Sequence, residues 1–129
     1  MPPDPAVLVI IDDDDNVRDF LEDTLSFQGY KVVTASTVQE AEDLRQHLGL
    51  RHFGLVICDV HLTDDPGIHE GYGLYQGWIK ACPALPFIFL SGDLAAKDLP
   101  AVRAGQVLFL AKPFAVGELL RTVKTVFSG

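Results

Sequence analysis

The sequence predicts a doubly wound α/β fold on five parallel strands, and three observations carry that prediction. Five short apolar runs recur, most of them nearly all apolar: Val7–Ile11, Lys31–Ala35, Leu55–Cys58, Pro86–Leu90 and Val107–Leu110. The stretches between them repeat apolar residues at helical spacing. The first, third, fourth and fifth runs each lead within two residues to an aspartate, a serine or a lysine, at the ends where open α/β sheets bind ligands.

Runs that are apolar throughout, rather than alternating, suit strands covered on both faces, as in parallel sheets. The first follows residues 1–6, which are expected to form a short loose arm, with residues 7–129 as one domain. Val17, Phe20, Leu21 and Leu25 then share a helix face, and Gly29 is the expected stop. Val38, Ala41, Leu44 and Leu48 form the next stripe, with Ser36 or Thr37 as N-cap. Leu74, Trp78 and Ala81 mark a third helix, and Val116, Leu119, Leu120 and Val123 mark the last. The fourth connection differs. Leu99 precedes Pro100, and a residue before proline is pushed out of the α region, so a short or broken helix is expected there.

Composition narrows the function. Apolar residues make up 48% of the chain, enough to fill a core rather than leave it disordered. No apolar run approaches the about 18 to 20 residues of a membrane helix, and the start lacks the basic flank of a signal peptide. The net charge is −8 and the ten basic residues are scattered, so direct nucleic-acid binding is not expected. Cys58 and Cys82 match neither a metal spacing nor a redox pair. They read as packing thiols in a reducing cytoplasm.

The candidate chemistry lies at the strand ends. Strand one delivers Asp12 and Asp13, strand three Asp59, strand four Ser91 and strand five Lys112. Were strands one and three neighbours, three carboxylates would converge and repel unless a cation intervened. Carboxylates, a carbonyl and water are the oxygen ligands that Mg²⁺ prefers. Lys112 would add positive charge and Ser91 a hydroxyl, the elements that stabilise a phosphoryl group in transfer. A carboxylate nucleophile forming an acyl phosphate completes the set. Each residue also has an ordinary reading. Asp12 to Asp15 can cap the first helix, Lys112 can be a solvated lysine, and Ser91 can form a turn. Their joint occurrence, in order, at strand ends favours the site.

These residues resemble the receiver domain of two-component response regulators, over Val7 to about Phe127. Val7-Leu8-Val9-Ile10-Ile11-Asp12-Asp13 is similar to the family's first strand and acidic pair. Leu55-Val56-Ile57-Cys58-Asp59 resembles the strand ending in the phosphoacceptor, and Ser91-Gly92 the hydroxyl residue with its small neighbour. Lys112-Pro113-Phe114 matches the lysine-proline-phenylalanine signature. The resemblance implies a flavodoxin-like sheet of order 2-1-3-4-5 and a cis bond before Pro113. It implies that a sensor histidine kinase or histidine phosphotransfer protein phosphorylates Asp59. Asp12, Asp13, Asp59 and the carbonyl of His61 would hold Mg²⁺. Ser91 and Phe109 would switch, His61 and Asp93 would tune the phosphoryl lifetime, and a downstream protein target or an effector domain would read the state. Such a chain is a phosphoacceptor with some self-dephosphorylation, not a turnover enzyme.

Two departures stand out. The family usually reaches a glycine about eight residues after its acceptor; Gly71 stands twelve after Asp59, an insertion of about four residues in the 62–70 loop. Thr63 replaces the usual proline. That loop is neutral or gates Asp59 or selects a partner. The broken fourth helix should alter the face that the family uses for output. Two other functions compete. Asp13-Asp14-Asp15-Asn16-Val17 resembles the opening motif of haloacid-dehalogenase-like phosphohydrolases, although the rest of that pattern is out of order. The other is a receiver-like binding module that works without phosphorylation.

Overall fold

The computed structural model describes residues 7–62 and 70–128. The expected strands form, the first two with the expected ends and the other three with ends moved by one or two residues: β1 Val7–Ile11, β2 Lys31–Ala35, β3 Phe53–Asp59, β4 Phe87–Ser91 and β5 Leu108–Ala111. All pair in parallel, in the order β2-β1-β3-β4-β5. The helices are α1 Asp15–Phe27, α2 Val38–Leu48, α3 Glu70–Ala81, α4 Pro100–Arg103 and α5 Val116–Ser128.

Alternate residues of β1 face opposite sides of the sheet. Val7, Val9 and Ile11 join one core with Ala41 of α2, Trp78 of α3 and Ala101 of α4. Leu8 and Ile10 join the other with Leu21 and Leu25 of α1 and Leu119 and Val123 of α5. The central strands β1 and β4 are buried throughout, which is why they read as unbroken apolar runs. Edge strand β2 begins on an exposed Lys31.

Local chemistry sets the helix ends. Asp14 is the N-cap of α1, accepting from the backbone N–H groups of Asn16 and Val17. Asp15 stands in the first turn and pairs with Arg18. Gly29, at φ 95°, ends that segment in a conformation that an L side chain resists. Thr37, not Ser36, caps α2. The expected inward stripes hold except at their margins: Phe20 is 38% and Val116 44% exposed, and Ala81, the last residue of α3, is exposed as well. Phe20 lies at the rim of its helix, where its ring meets Phe114 at 6.1 Å.

The fourth connection is broken where proline demands it. A 3-10 turn covers Leu94–Asp98, Leu99 swings to ψ 140°, and α4 lasts only four residues from Pro100. The inserted loop and Thr63 lie mostly outside the described residues.

Candidate functional site

β1 lies between β2 and β3, so the chain reverses its direction of sheet growth there. The carboxyl ends of β1 and β3 flank the resulting crevice. Ile11 pairs with Cys58, which places Asp12 and Asp59 side by side one residue further on. Ser91 pairs with Ala111, and Lys112 N donates to the Ser91 carbonyl at 2.9 Å. Sheet register alone thus aligns Asp12, Asp59, Ser91 and Lys112 on one edge.

Asp12 is fully buried, Asp59 is 6% exposed and Asp13 faces solvent. Ligand oxygens of all three lie within 4.8 Å of one another. Asp12 Oδ1 accepts from Asp14 N at 2.9 Å, while its Oδ2 accepts no hydrogen bond. Asp59 Oδ1 accepts from His61 N at 2.9 Å, which fixes the carboxylate against the start of its loop. Lys112 Nζ lies 2.8 Å from Asp59 Oδ2 and 2.8 Å from Asp12 Oδ2. Only the first contact has the alignment of a hydrogen bond; the second is a bare charge contact. The peptide bond from Lys112 to Pro113 is cis.

The charges in this pocket perturb one another. Burial pushes the Asp12 carboxyl up; the Lys112 contact and the Asp14 N–H pull it down, the Asp59 charge raises it, and the net shift is upward. Burial disfavours the Lys112 ammonium, but its contacts with Asp12 and Asp59 outweigh that, so its pKa stands above the ordinary lysine value. The Cys58 thiol is pushed well up, chiefly by burial and then by Asp59 and Asp12, so it stays an inert packing group.

The remaining expected residues surround this centre. Ser91 is buried and its Oγ accepts from Asp93 N at 2.9 Å. Asp93 Oδ1 caps the following turn through Ala95 N, and Asp93 Oδ2 lies 3.6 Å from His61 Nε2. His61 and Asp93 therefore face each other beside Asp59 and Ser91. Phe109 is half-buried against the core that contains Phe89, its partner in the β4–β5 register.

The aspartate tract divides its labour. Asp12 and Asp13 turn to the cluster, whereas Asp14 and Asp15 serve the start of α1. A phosphohydrolase motif running from Asp13 to Asp15 would need Asp15 in the site, and its side chain is 82% exposed at the helix start.

Sequence reasoning missed two supports. Arg18 Nη1 donates to the Asp12 carbonyl at 2.9 Å, a contact that only helix geometry creates. Spacing alone matches Gly71 to the family's glycine, but the reason it must be glycine is steric: a Cβ there would meet the Asp59 carbonyl oxygen at 2.0 Å. The start of α3 packs directly on the backbone of Asp59 because this residue has no side chain.

The comparisons with known proteins agree with this geometry. The family model described as response regulator receiver domain matches residues 8–124. The transcriptional regulatory protein PmrA of Pectobacterium parmentieri is 33% identical over 120 residues, covering 92% of this chain and 51% of PmrA. The chain thus spans about half the length of this curated relative. A response-regulator crystal structure from Chloroflexus aurantiacus is 35% identical with a TM-score of 0.77, covering 97% of this chain and 99% of that one. The non-phosphorylated HemR receiver domain of Leptospira biflexa is 30% identical with a TM-score of 0.80, covering 96% and 95%. Among the described residues no helix is long and apolar enough to cross a membrane. With its strand order, its acidic edge and the family match over nearly its whole length, the chain belongs to the response regulator receiver domain family, the phosphoacceptor modules of two-component signalling.

Proposed function

We propose that Asp59 is the residue that takes the phosphoryl group, with Mg²⁺ held by Asp12, Asp13, Asp59 and the His61 carbonyl. The observation that carries this reading is the three-way meeting of Asp12, Asp59 and Lys112. The donor set suits a hard divalent cation. It is oxygen throughout, Asp12 Oδ2 is buried without a hydrogen bond, and Asp13 reaches the same point from solvent. Bound there, Mg²⁺ supplies positive charge against the phosphoryl oxygens.

The transfer follows from these groups. A carboxylate oxygen of Asp59 attacks the phosphorus of a phosphohistidine on a sensor kinase or phosphotransfer protein. The new O–P bond forms as the P–N bond breaks, and the imidazole leaves with the electron pair. His61 N holds the other carboxylate oxygen in place during the attack. Lys112 is anchored between the carboxylates and needs only a small shift to pair with the incoming oxygens.

Ser91 carries the signal onward. Its hydroxyl turns from Asp93 N toward a phosphoryl oxygen, and Phe109 follows into the space beside Phe89. Moving a switch from 1:99 to 99:1 takes about 5.5 kcal/mol. Charge-assisted hydrogen bonds contribute about 1.5 to 3 kcal/mol each, so two or three new contacts to one phosphoryl group suffice. His61 and Asp93, facing each other across the mouth, set how readily water reaches the acyl phosphate and hence how fast the chain dephosphorylates itself. A downstream protein target or an effector domain reads the result.

Incubation with acetyl phosphate and Mg²⁺, followed by intact mass and peptide mapping, tests the reading. One added phosphoryl group on Asp59, lost in Asp59→Asn and without Mg²⁺, is expected. An unmodified wild-type chain under conditions that label another receiver would overturn it in favour of a module that works unphosphorylated.

A further inference from the structure

Helix α4 begins without a cap of its own. Leu99 stands at its N-cap and makes no side-chain hydrogen bond, and Pro100 follows in the first turn. Backbone N–H groups there need an outside acceptor. Ala101, 2% exposed, finds one 29 positions away: its N–H donates to Tyr72 Oη at 3.2 Å. So buried an amide has little recourse to water when that acceptor is removed.

Tyr72 also stands next to the phosphoacceptor strand. Its neighbour Gly71 donates through its N–H to the Val60 carbonyl at 3.0 Å and packs against the Asp59 carbonyl. The Tyr72 ring meets Phe89 nearly edge-on at 5.8 Å and Tyr75 at 5.7 Å. Phe89 in turn pairs in register with Phe109. The Tyr72 side chain therefore joins the aromatic patch beside Phe109 to the first turn of α4, and its backbone neighbour Gly71 lies against Asp59.

We propose that Tyr72 is a positioning residue that tethers the shortened α4 to α3 and sets how far phosphorylation at Asp59 displaces the α4–β5 face. The coupling half rests on the phosphoacceptor reading above; the tether half does not. A four-residue helix has too few internal hydrogen bonds to hold its own place. Its position is then set by the burial of Ala101 in the core, by the connection at Ser91 and Asp93 on one side and by the tyrosine hydroxyl on the other. A shift of the Gly71 backbone, when Asp59 is modified, moves that hydroxyl directly. This route to the output face runs through α3, beside the one through Ser91 and Phe109.

The test is Tyr72→Phe, which keeps the ring packing and deletes one oxygen. Amide hydrogen exchange is followed over residues 99–104 and over the β1, β3 and β4 amides, with and without acetyl phosphate and Mg²⁺. In the unphosphorylated variant, exchange at Ala101 should rise about fivefold or more, with the strand amides unchanged. The phosphorylation-dependent change over residues 99–104 should shrink to less than about half of the wild-type change, while Asp59 labels within about twofold of the wild-type rate. Wild-type exchange at Ala101 in Tyr72→Phe would overturn the tether, as would a loss of protection spread evenly over the strands. An undiminished phosphorylation response would overturn the coupling. A wild-type chain that never labels removes the functional reading and the coupling together, and leaves the Ala101 result to decide the tether.

Discussion

The Lys112 ammonium donates a 2.8 Å hydrogen bond to Asp59 Oδ2 although their strands are not neighbours, because β4 lies between β3 and β5. The side chain spans that strand's end and also lies 2.8 Å from Asp12. It thereby serves as the counter-ion that two buried carboxylates require when no metal is bound. Removing one partner from such a group leaves charge without compensation. Lys112→Met in metal-free buffer should lose about 1 to 3 kcal/mol of stability, tempered because Asp12 can take up a proton. Urea unfolding with and without Mg²⁺ checks this, and Mg²⁺ should recover part of the loss in the variant.

Asp13 and Asp12 should separate metal binding from folding. Asp13 is exposed, so Asp13→Asn should leave stability within about 0.5 kcal/mol of wild type. It removes a charged oxygen from the cation cluster, so Mg²⁺ affinity should fall about tenfold or more. Calorimetric titration measures the second, thermal unfolding the first. Equal Mg²⁺ affinity in the variant would remove Asp13 from the ligand set.

A pH dependence follows from Asp12. Its folded-state pKa is raised, first by burial, so the folded protein holds a proton that the unfolded chain has already released. Stability in metal-free buffer should then decline as pH rises from the ordinary carboxylate value through the folded value of Asp12. Lys112 acts in the opposite part of the scale. Burial lowers its pKa, but its contacts with Asp12 and Asp59 raise it further, so its contribution is present below the ordinary lysine value and lost as pH rises past its folded value. Melting curves of wild type and Asp12→Asn, recorded without metal from mildly acidic to neutral pH, should diverge. The wild type should lose ground relative to the variant as pH rises, and a constant difference would contradict the assignment.

Gly71→Ala tests the close approach of α3 to the end of β3. The added methyl would sit 2.0 Å from the Asp59 carbonyl oxygen, and backbone cannot yield as a flexible side chain can. Overpacking of this kind costs about 1 to 3 kcal/mol, and the figure should fall at or above the upper end here. Equilibrium unfolding gives the magnitude. Gly73→Ala, where a Cβ meets nothing within 4 Å, is the matched control and should be neutral or stabilising.

By itself the sequence determined the strand and helix order, the residue types at the strand ends and the break before Pro100, because these follow from local rules. Apolar runs, capping residues and the restriction of Leu99 act over a few neighbours. It also marked Asp12, Asp13, Asp59, Ser91 and Lys112 as candidates, since each lies within two residues of the end of an apolar run. Only the tertiary structure decided which of the four consecutive aspartates enter the site. That division depends on where β1 stops and α1 begins: Asp12 lies in the sheet's crevice and Asp14 caps the helix. It also decided that Lys112 reaches across β4, that Gly71 must lack a side chain and that Tyr72 caps α4. Each of these is a distance between segments far apart in the chain, set by strand register and helix packing, and no local pattern encodes it.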